Sequence, residues 1–306
     1  MLITHMSVVD WLLESDPAIR WQALRDLTDA PAAEIAAERA KVATTGWGAW
    51  LLSQQSADGR WGGGTFLPYA TSTFFALWLL QTMGVDPASD VVRRAIARAR
   101  DARWEYDQKL RFFDGEVEPC INGRTVAIGA YFGEDVRGIV ERLLGEQMAD
   151  GGWNCEQERG SRRGSFNTTI CVLEGLLEFE RATGGSPEVT AARERGQEYL
   201  LERRMLRRLS TGEVIDAKWT QFSFPPGYHY DVLRGLDYLR AAGVTPDPRI
   251  GEAMELVKKK RGADGRWLLE KPHENEVHLP TGEDVGTPSR WNTLRALRVL
   301  RWAGSS

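Results

Sequence analysis

The run Tyr228-His229-Tyr230-Asp231 puts a carboxyl, an imidazole and two phenols side by side. A carboxyl next to an imidazole can serve general acid–base catalysis, one group giving a proton while the other accepts it. Asp231 is therefore a candidate acid or base, with His229 beside it. The same Asp is a good N-cap for the apolar stretch after it, in which case His229 is a half-buried side chain. Cys120, Cys155 and His229 form a second candidate set. Thiolates and an imidazole are suitable zinc ligands, and three protein ligands with an open fourth position describe a catalytic site. Zinc is the cofactor this set predicts. The competing reading is that the thiols are small core hydrophobes, since their spacing matches no metal motif. Cys171, inside an apolar run, reads as core. His273 and His278 flank Glu274-Asn-Glu276, which is not an HExxH spacing and reads as a surface loop.

Aromatic residues crowd the same region: Trp219, Phe222, Phe224, Tyr228 and Tyr230, with Trp291 further on. Their faces suit a cavity wall and could stabilise a cation, or they pack as ordinary core. Arg124, Asn167, Arg290 and Asn292 are the polar candidates for contact with a substrate. They share one property with Cys120, Asn122, Cys155, His229 and Asp231. Each lies in or just before the start of an apolar helical stretch, where the positive end of a helix dipole is found.

Those stretches are organised by a repeat. Gln55-Ser-Ala-Asp-Gly-Arg-Trp61 returns as Gln147-Met-Ala-Asp-Gly-Gly-Trp153 and again as Arg261-Gly-Ala-Asp-Gly-Arg-Trp267. Asp bonds its own backbone and Gly takes dihedrals other residues avoid, so each copy is a turn. A nearly all-apolar helix is predicted after each turn, over Ser72–Leu80, Asn167–Leu177 and Asn292–Leu300. Ser or Asn followed by Thr is expected to cap these helices. Two weaker units, through Phe113-Asp-Gly-Glu116 and Ala217-Lys-Trp219, keep the alternation. Between the apolar helices the pattern predicts amphipathic ones, over Asp90–Arg100, Asp135–Leu144, Thr190–Leu206 and Pro248–Lys260. This gives five helix pairs over 45–303. A less regular helical part, 1–40, includes Val8–Leu13 and Pro17–Leu27. A unit that cannot bury its own apolar face must stack on its neighbours. The fold expected is all-α, one domain over 1–306. The contrast between inner and outer helices suits a closed ring better than an open solenoid.

The Gln-x-x-Asp-Gly-x-Trp turns resemble the QW repeat of squalene-type terpenoid cyclases, whose fold is shared by protein prenyltransferase β subunits. The resemblance implies an α/α toroid: concentric helix rings around an aromatic-lined cavity that receives isoprenoid chains. It also implies chemistry that this chain lacks the residues for. The Asp-x-Asp-Asp acid of the cyclases is absent, and so is the Asp-x-Cys of the zinc prenyltransferases. The function expected is that of a terpenoid cyclase/prenyltransferase-like protein acting on an apolar, isoprenoid-type small molecule, without the usual acid. The alternatives are a non-catalytic carrier or sensor of a hydrophobic ligand, and a helical-repeat scaffold whose centre is filled.

Bulk composition narrows the partners. Net charge is −4, so there is no basic surplus to neutralise phosphates, and nucleic acid is not expected. Three cysteines without a CxxC pair suit a reducing compartment. No apolar run is long enough to span a bilayer and no signal-peptide pattern opens the chain, so a cytoplasmic protein without an integral membrane segment is expected. Residue patterns point to no particular protein partner.

Overall fold

Helices form where the alternating pattern predicts them. The computed structural model describes residues 6–271 and 279–304. In chain order the helices are α1 (Val8–Leu13), α2 (Pro17–Leu27), α3 (Ala32–Ala40), α4 (Gly46–Ser53), α5 (Thr73–Met83), α6 (Asp90–Ala99) and α7 (Pro119–Phe132). They continue as α8 (Arg137–Gly145), α9 (Phe166–Thr183), α10 (Pro187–Glu202), α11 (Val232–Ala241), α12 (Gly251–Lys259) and α13 (Arg290–Trp302). Among the described residues there is no β-strand, only isolated bridges such as Trp61 with Gly64. No helix among them is long and apolar enough to cross a membrane. The two polar histidines of the acidic loop, His273 and His278, lie outside the described residues.

The three repeat turns are built alike. Asp58, Asp150 and Asp264 each accept a bond from the backbone N–H two residues on. Gly59, Gly151 and Gly265 come next, with φ of 85°, 84° and 79°, which a side chain would disfavour. The Trp indole N–H then donates 2.7 Å to a carbonyl ten residues back: Leu51, Leu143 or Val257, in the incoming helix. The Trp backbone N–H donates to the hydroxyl of Thr73, Thr169 or Thr293, in the outgoing helix. Each Trp thus fastens α4 to α5, α8 to α9 or α12 to α13. All three rings are 1% exposed or less. The leading Gln has a separate task. Gln55 and Gln147 bridge their own turn to the Ala95 and Ala192 carbonyls, in α6 and α10. Arg261, in the Gln position of the third copy, lies over the Trp267 ring instead.

One detail departs from expectation. Ser165 and Ser289 cap α9 and α13, as Ser72 caps α5. Asn167 and Asn292 are therefore not caps but the first-turn residues of helices that start earlier than their apolar runs. The geometry common to the three corners lies in the Thr hydroxyls, which hold the Trp N–H groups.

From α4 onward the helices form five successive pairs. α5, α7, α9, α11 and α13 are buried on most sides. α6, α8 and α12 bury one stripe each, for example Val92, Ala95, Ile96 and Ala99 of α6. Contacts run from α5 to α7, from α7 to α9, and from α11 to α13. Arg234 of α11 holds Glu174 of α9 through two bonds of 2.8 and 2.6 Å. The N-terminal part supplies a sixth buried helix. α13 packs on α2, and α2 reaches α5 through Trp21 Nε1 to the Met83 carbonyl, 2.8 Å. The circuit of contacts therefore returns to its start. α7 and α9 approach closely because Gly123 and Gly175 sit at their crossing. A Cβ on Gly175 would stand 2.1 Å from the Gly123 carbonyl oxygen.

Candidate ligand-binding cavity

The six most buried helices surround a cavity of about 1050 Å³, to which α3 also contributes. Trp78 of α5, Arg124 of α7, Glu174 of α9, Arg234 of α11, Arg295 of α13 and Gln22 of α2 all line it. Its volume is that of a site for a sizeable small molecule. Aromatic faces are present. Phe224 stacks on Trp291 with centroids 4.3 Å apart, and Trp78 lies under the Arg124 guanidinium, 4.0 Å from its ring centre.

The wall is also strongly charged, which differs from the greasy lining the sequence suggests. Eight arginines line it, against five carboxylates, Asp26, Asp86, Glu174, Glu178 and Asp237. Four of the arginines are buried: Arg124, Arg234, Arg295 and Arg298. Arg25, Arg39, Arg181 and Arg240 are more open to solvent. The reason is periodicity. α2, α7, α9, α11 and α13 each place one or two of these arginines among apolar residues, and closure of the circuit turns them to a common space.

The carboxylates of the wall are largely occupied. Glu174 faces the two-pronged Arg234, and Arg124 is 3.8 Å away. Burial alone would raise its pKa, but the two guanidinium groups outweigh this and hold it below the ordinary carboxylate value. Asp26 pairs with Arg298 at 2.5 Å and Asp237 with Arg240 at 2.8 Å. Both are likewise held low, the arginines overcoming burial. Hydrogen bonding on the basic side is incomplete. Arg295 Nη2 and Arg298 Nε are buried and make no hydrogen bond. Burial pushes the Arg298 pKa down to about 10 despite Asp26 and Asp237.

Few of the predicted contact residues reach this cavity. Arg124, Phe224 and Trp291 line it. Asn167, Trp219, Tyr228, His229 and Tyr230 instead line a second, smaller hollow of about 190 Å³. There Asn167 Oδ1 accepts the Tyr230 backbone N–H at 2.7 Å, and Trp219 packs between Phe166 and Tyr230. Phe222, Arg290 and Asn292 line neither. Phe222 is fully buried, Asn292 donates to the Leu268 carbonyl, and Arg290 lies over Trp11, fastening α13 to α1. Of the polar groups near inner-helix N-termini, Arg124 of α7 and Arg234 of α11 reach the large cavity. The large cavity is lined mainly by the middle and C-terminal turns, where Arg181, Asp237, Arg240 and Arg298 stand. Periodicity within single helices gave no signal for those residues, because an arginine there reads as a solvated stripe.

Asp231 takes the capping role. Its Oδ1 accepts the Arg234 backbone N–H at 2.7 Å, and it is 2% exposed. Burial raises its pKa, opposed by Arg295 and Arg234. It lines neither cavity, while Arg295 Nη2 lies 3.6 Å from it. Its reach to a ligand is therefore indirect, through the arginine it holds. His229 is separated from this role, its ring tilted against Tyr228 at the smaller hollow.

The expected zinc set does not assemble as drawn. Cys120 Sγ and Cys155 Sγ meet at 3.1 Å, but the third group of that cluster is Glu118, not His229. Glu118 Oε2 is 3.5 Å from Cys120 Sγ and Thr168 Oγ1 is 3.4 Å from Cys155 Sγ. Cys171 is buried, as expected. The cysteines come together because one starts α7 and the other comes just after Trp153, in the turn that leads to α9.

Compared with known protein families and with curated proteins, the chain matches no family model and no curated protein.

Proposed function

We propose that this chain is a terpenoid cyclase/prenyltransferase-like α/α toroid that binds an isoprenoid-type amphiphile in its central cavity, with the anionic head held by the wall arginines. The observation that carries this reading is the cavity itself: stacked aromatics beside eight arginines and only five carboxylates. A purely hydrocarbon ligand would leave buried guanidinium groups facing apolar atoms, which is unfavourable. An anionic head restores charge balance, and the aromatic faces accept the chain. An open cavity of this size weighs against a scaffold with a filled centre.

The reading favours binding over cyclisation begun by protonation. Asp26, Glu174 and Asp237 are held low by arginines and are poor donors to an alkene, while Glu178, raised by burial against Arg181, is the one wall carboxyl shifted the other way. The enzymatic form of the same reading is a transferase-type reaction, in which the arginines stabilise a departing anion. A carrier or sensor uses the same contacts without the chemistry.

Tryptophan fluorescence titrations with farnesyl diphosphate, farnesol and inorganic diphosphate test it. Farnesyl diphosphate should bind saturably and at least about ten-fold tighter than farnesol, a difference of roughly 1.4 kcal/mol. Arg295→Gln should weaken farnesyl diphosphate and leave farnesol unchanged. Absence of saturable binding by both isoprenoids would sink the proposal.

A further inference from the structure

Away from the cavity, the pairing of Cys120 with Cys155 has a use of its own. The two sulfurs are 3.1 Å apart, both partly exposed, and come from residues 35 positions apart in sequence. Their surroundings make them unequal. Cys120 Sγ donates to Cys155 Sγ, and Thr168 Oγ1 lies 3.4 Å from Cys155 Sγ, so Cys155 has two hydrogen-bonding partners that favour its thiolate. Cys120 is then the neighbouring thiol placed to attack second, the division of labour that thiol–disulfide exchange requires. The third cysteine, Cys171, is buried in α9 and takes no part.

We propose that Cys120 and Cys155 form a redox-active dithiol that reduces a low-molecular-weight disulfide and closes to an intramolecular disulfide. The Cys155 thiolate attacks one sulfur of glutathione disulfide. A mixed disulfide forms, the glutathione S–S bond breaks, and one glutathione thiolate leaves. With Cys155 capped, Cys120 no longer donates to a thiolate and lies beside the mixed disulfide. Cys120 then gives up its proton and attacks Cys155 Sγ, expelling the second glutathione thiolate. Two electrons pass from the cysteine pair to the glutathione disulfide, and the two thiol protons end on two glutathione molecules. The new bond ties the start of α7 to the segment between the Trp153 turn and α9.

The test is intact-mass and peptide mass spectrometry of the full chain after equilibration with glutathione disulfide and alkylation of remaining thiols. The alkylatable thiols should fall from three to one, with the Cys120 and Cys155 peptides cross-linked and Cys171 alkylated. Cys120→Ser should accumulate one glutathione on Cys155, and Cys171→Ala should still close the bridge. Far-ultraviolet circular dichroism verifies that each variant is folded. Three free thiols in the oxidised wild type would overturn the proposal. So would glutathione trapped on wild-type Cys155 with no bridge formed afterwards. One zinc ion per chain that survives purification and blocks oxidation would also overturn it, making the pair a metal clip.

Discussion

Asp231 illustrates how burial decides a residue's role. Its carboxylate caps α11 and stands beside Arg295, and its burial raises its pKa. Asn caps helices about as well as Asp and Ala does not, so Asp231→Asn should be more stable than Asp231→Ala by about 1 kcal/mol in urea unfolding. Equal stabilities would remove the capping role. The pH dependence has a definite sign. A raised folded pKa means the folded chain holds the proton more tightly than the unfolded one. Wild type should lose stability relative to Asp231→Asn as pH rises through that folded value. Glu174 behaves oppositely, because Arg234 and Arg124 hold its pKa down. Its contribution is complete above the unfolded carboxylate value, about 4.3, and is lost as pH falls through the lower folded value. Glu174→Gln leaves Arg234 buried beside a neutral amide and should cost about 3 kcal/mol at pH 7. Thermal melts across pH 3 to 7, roughly the range of carboxylate titration, would show a flatter acid limb for that variant.

Between pairs of helices the controlling features are the tryptophan corners and the glycine crossing. Trp153 joins α8 to α9 through one indole bond and one backbone bond. Trp153→Phe removes the donor to the Leu143 carbonyl and leaves a gap, so a loss of about 2 kcal/mol is expected in chemical denaturation. A change within a few tenths would show that the corner holds without its indole bond. At the α7–α9 crossing the backbones touch where Gly175 meets Gly123. Gly175→Ala should force the helices apart and cost about 3 kcal/mol, more than its gain in helix propensity returns. Calorimetry showing a raised melting temperature for this variant would contradict the crossing described here.

Closure of the contact circuit is a property of the whole molecule. Arg298 of α13 meets Gln22 and Asp26 of α2, joining the two ends of the described chain. Asp26→Asn and Arg298→Met should each destabilise, and the double variant should recover part of the loss. A coupling of about 1–3 kcal/mol is expected for such a buried pair. A double-mutant cycle in urea that returns no coupling would mean closure rests on apolar packing alone. The same circuit decides what the cavity can accept. Distributed over separate helices, the arginines are a local stripe on each. Gathered around one space, they make a site that favours an anion.

Much of the architecture was legible from the residues alone. Val8–Leu13 and Pro17–Leu27 are helices over the ranges their pattern predicts, and five pairs succeed them from residue 46 onward. Turn chemistry and apolar periodicity act within a few residues, so a sequence carries them openly. The Trp corners were legible as turns, though not the Thr hydroxyls that secure them, nor Ser165 and Ser289 as caps. The character of the site was decided by tertiary structure. Cys120 met Glu118 and Cys155 rather than His229, and Asp231 faced Arg295 rather than either cavity. Arg295 and Arg298 gained their place in the wall only when α13 returned to α2. Charge at a cavity is a sum over residues far apart in the chain, and only the closed circuit brings them within range of one another.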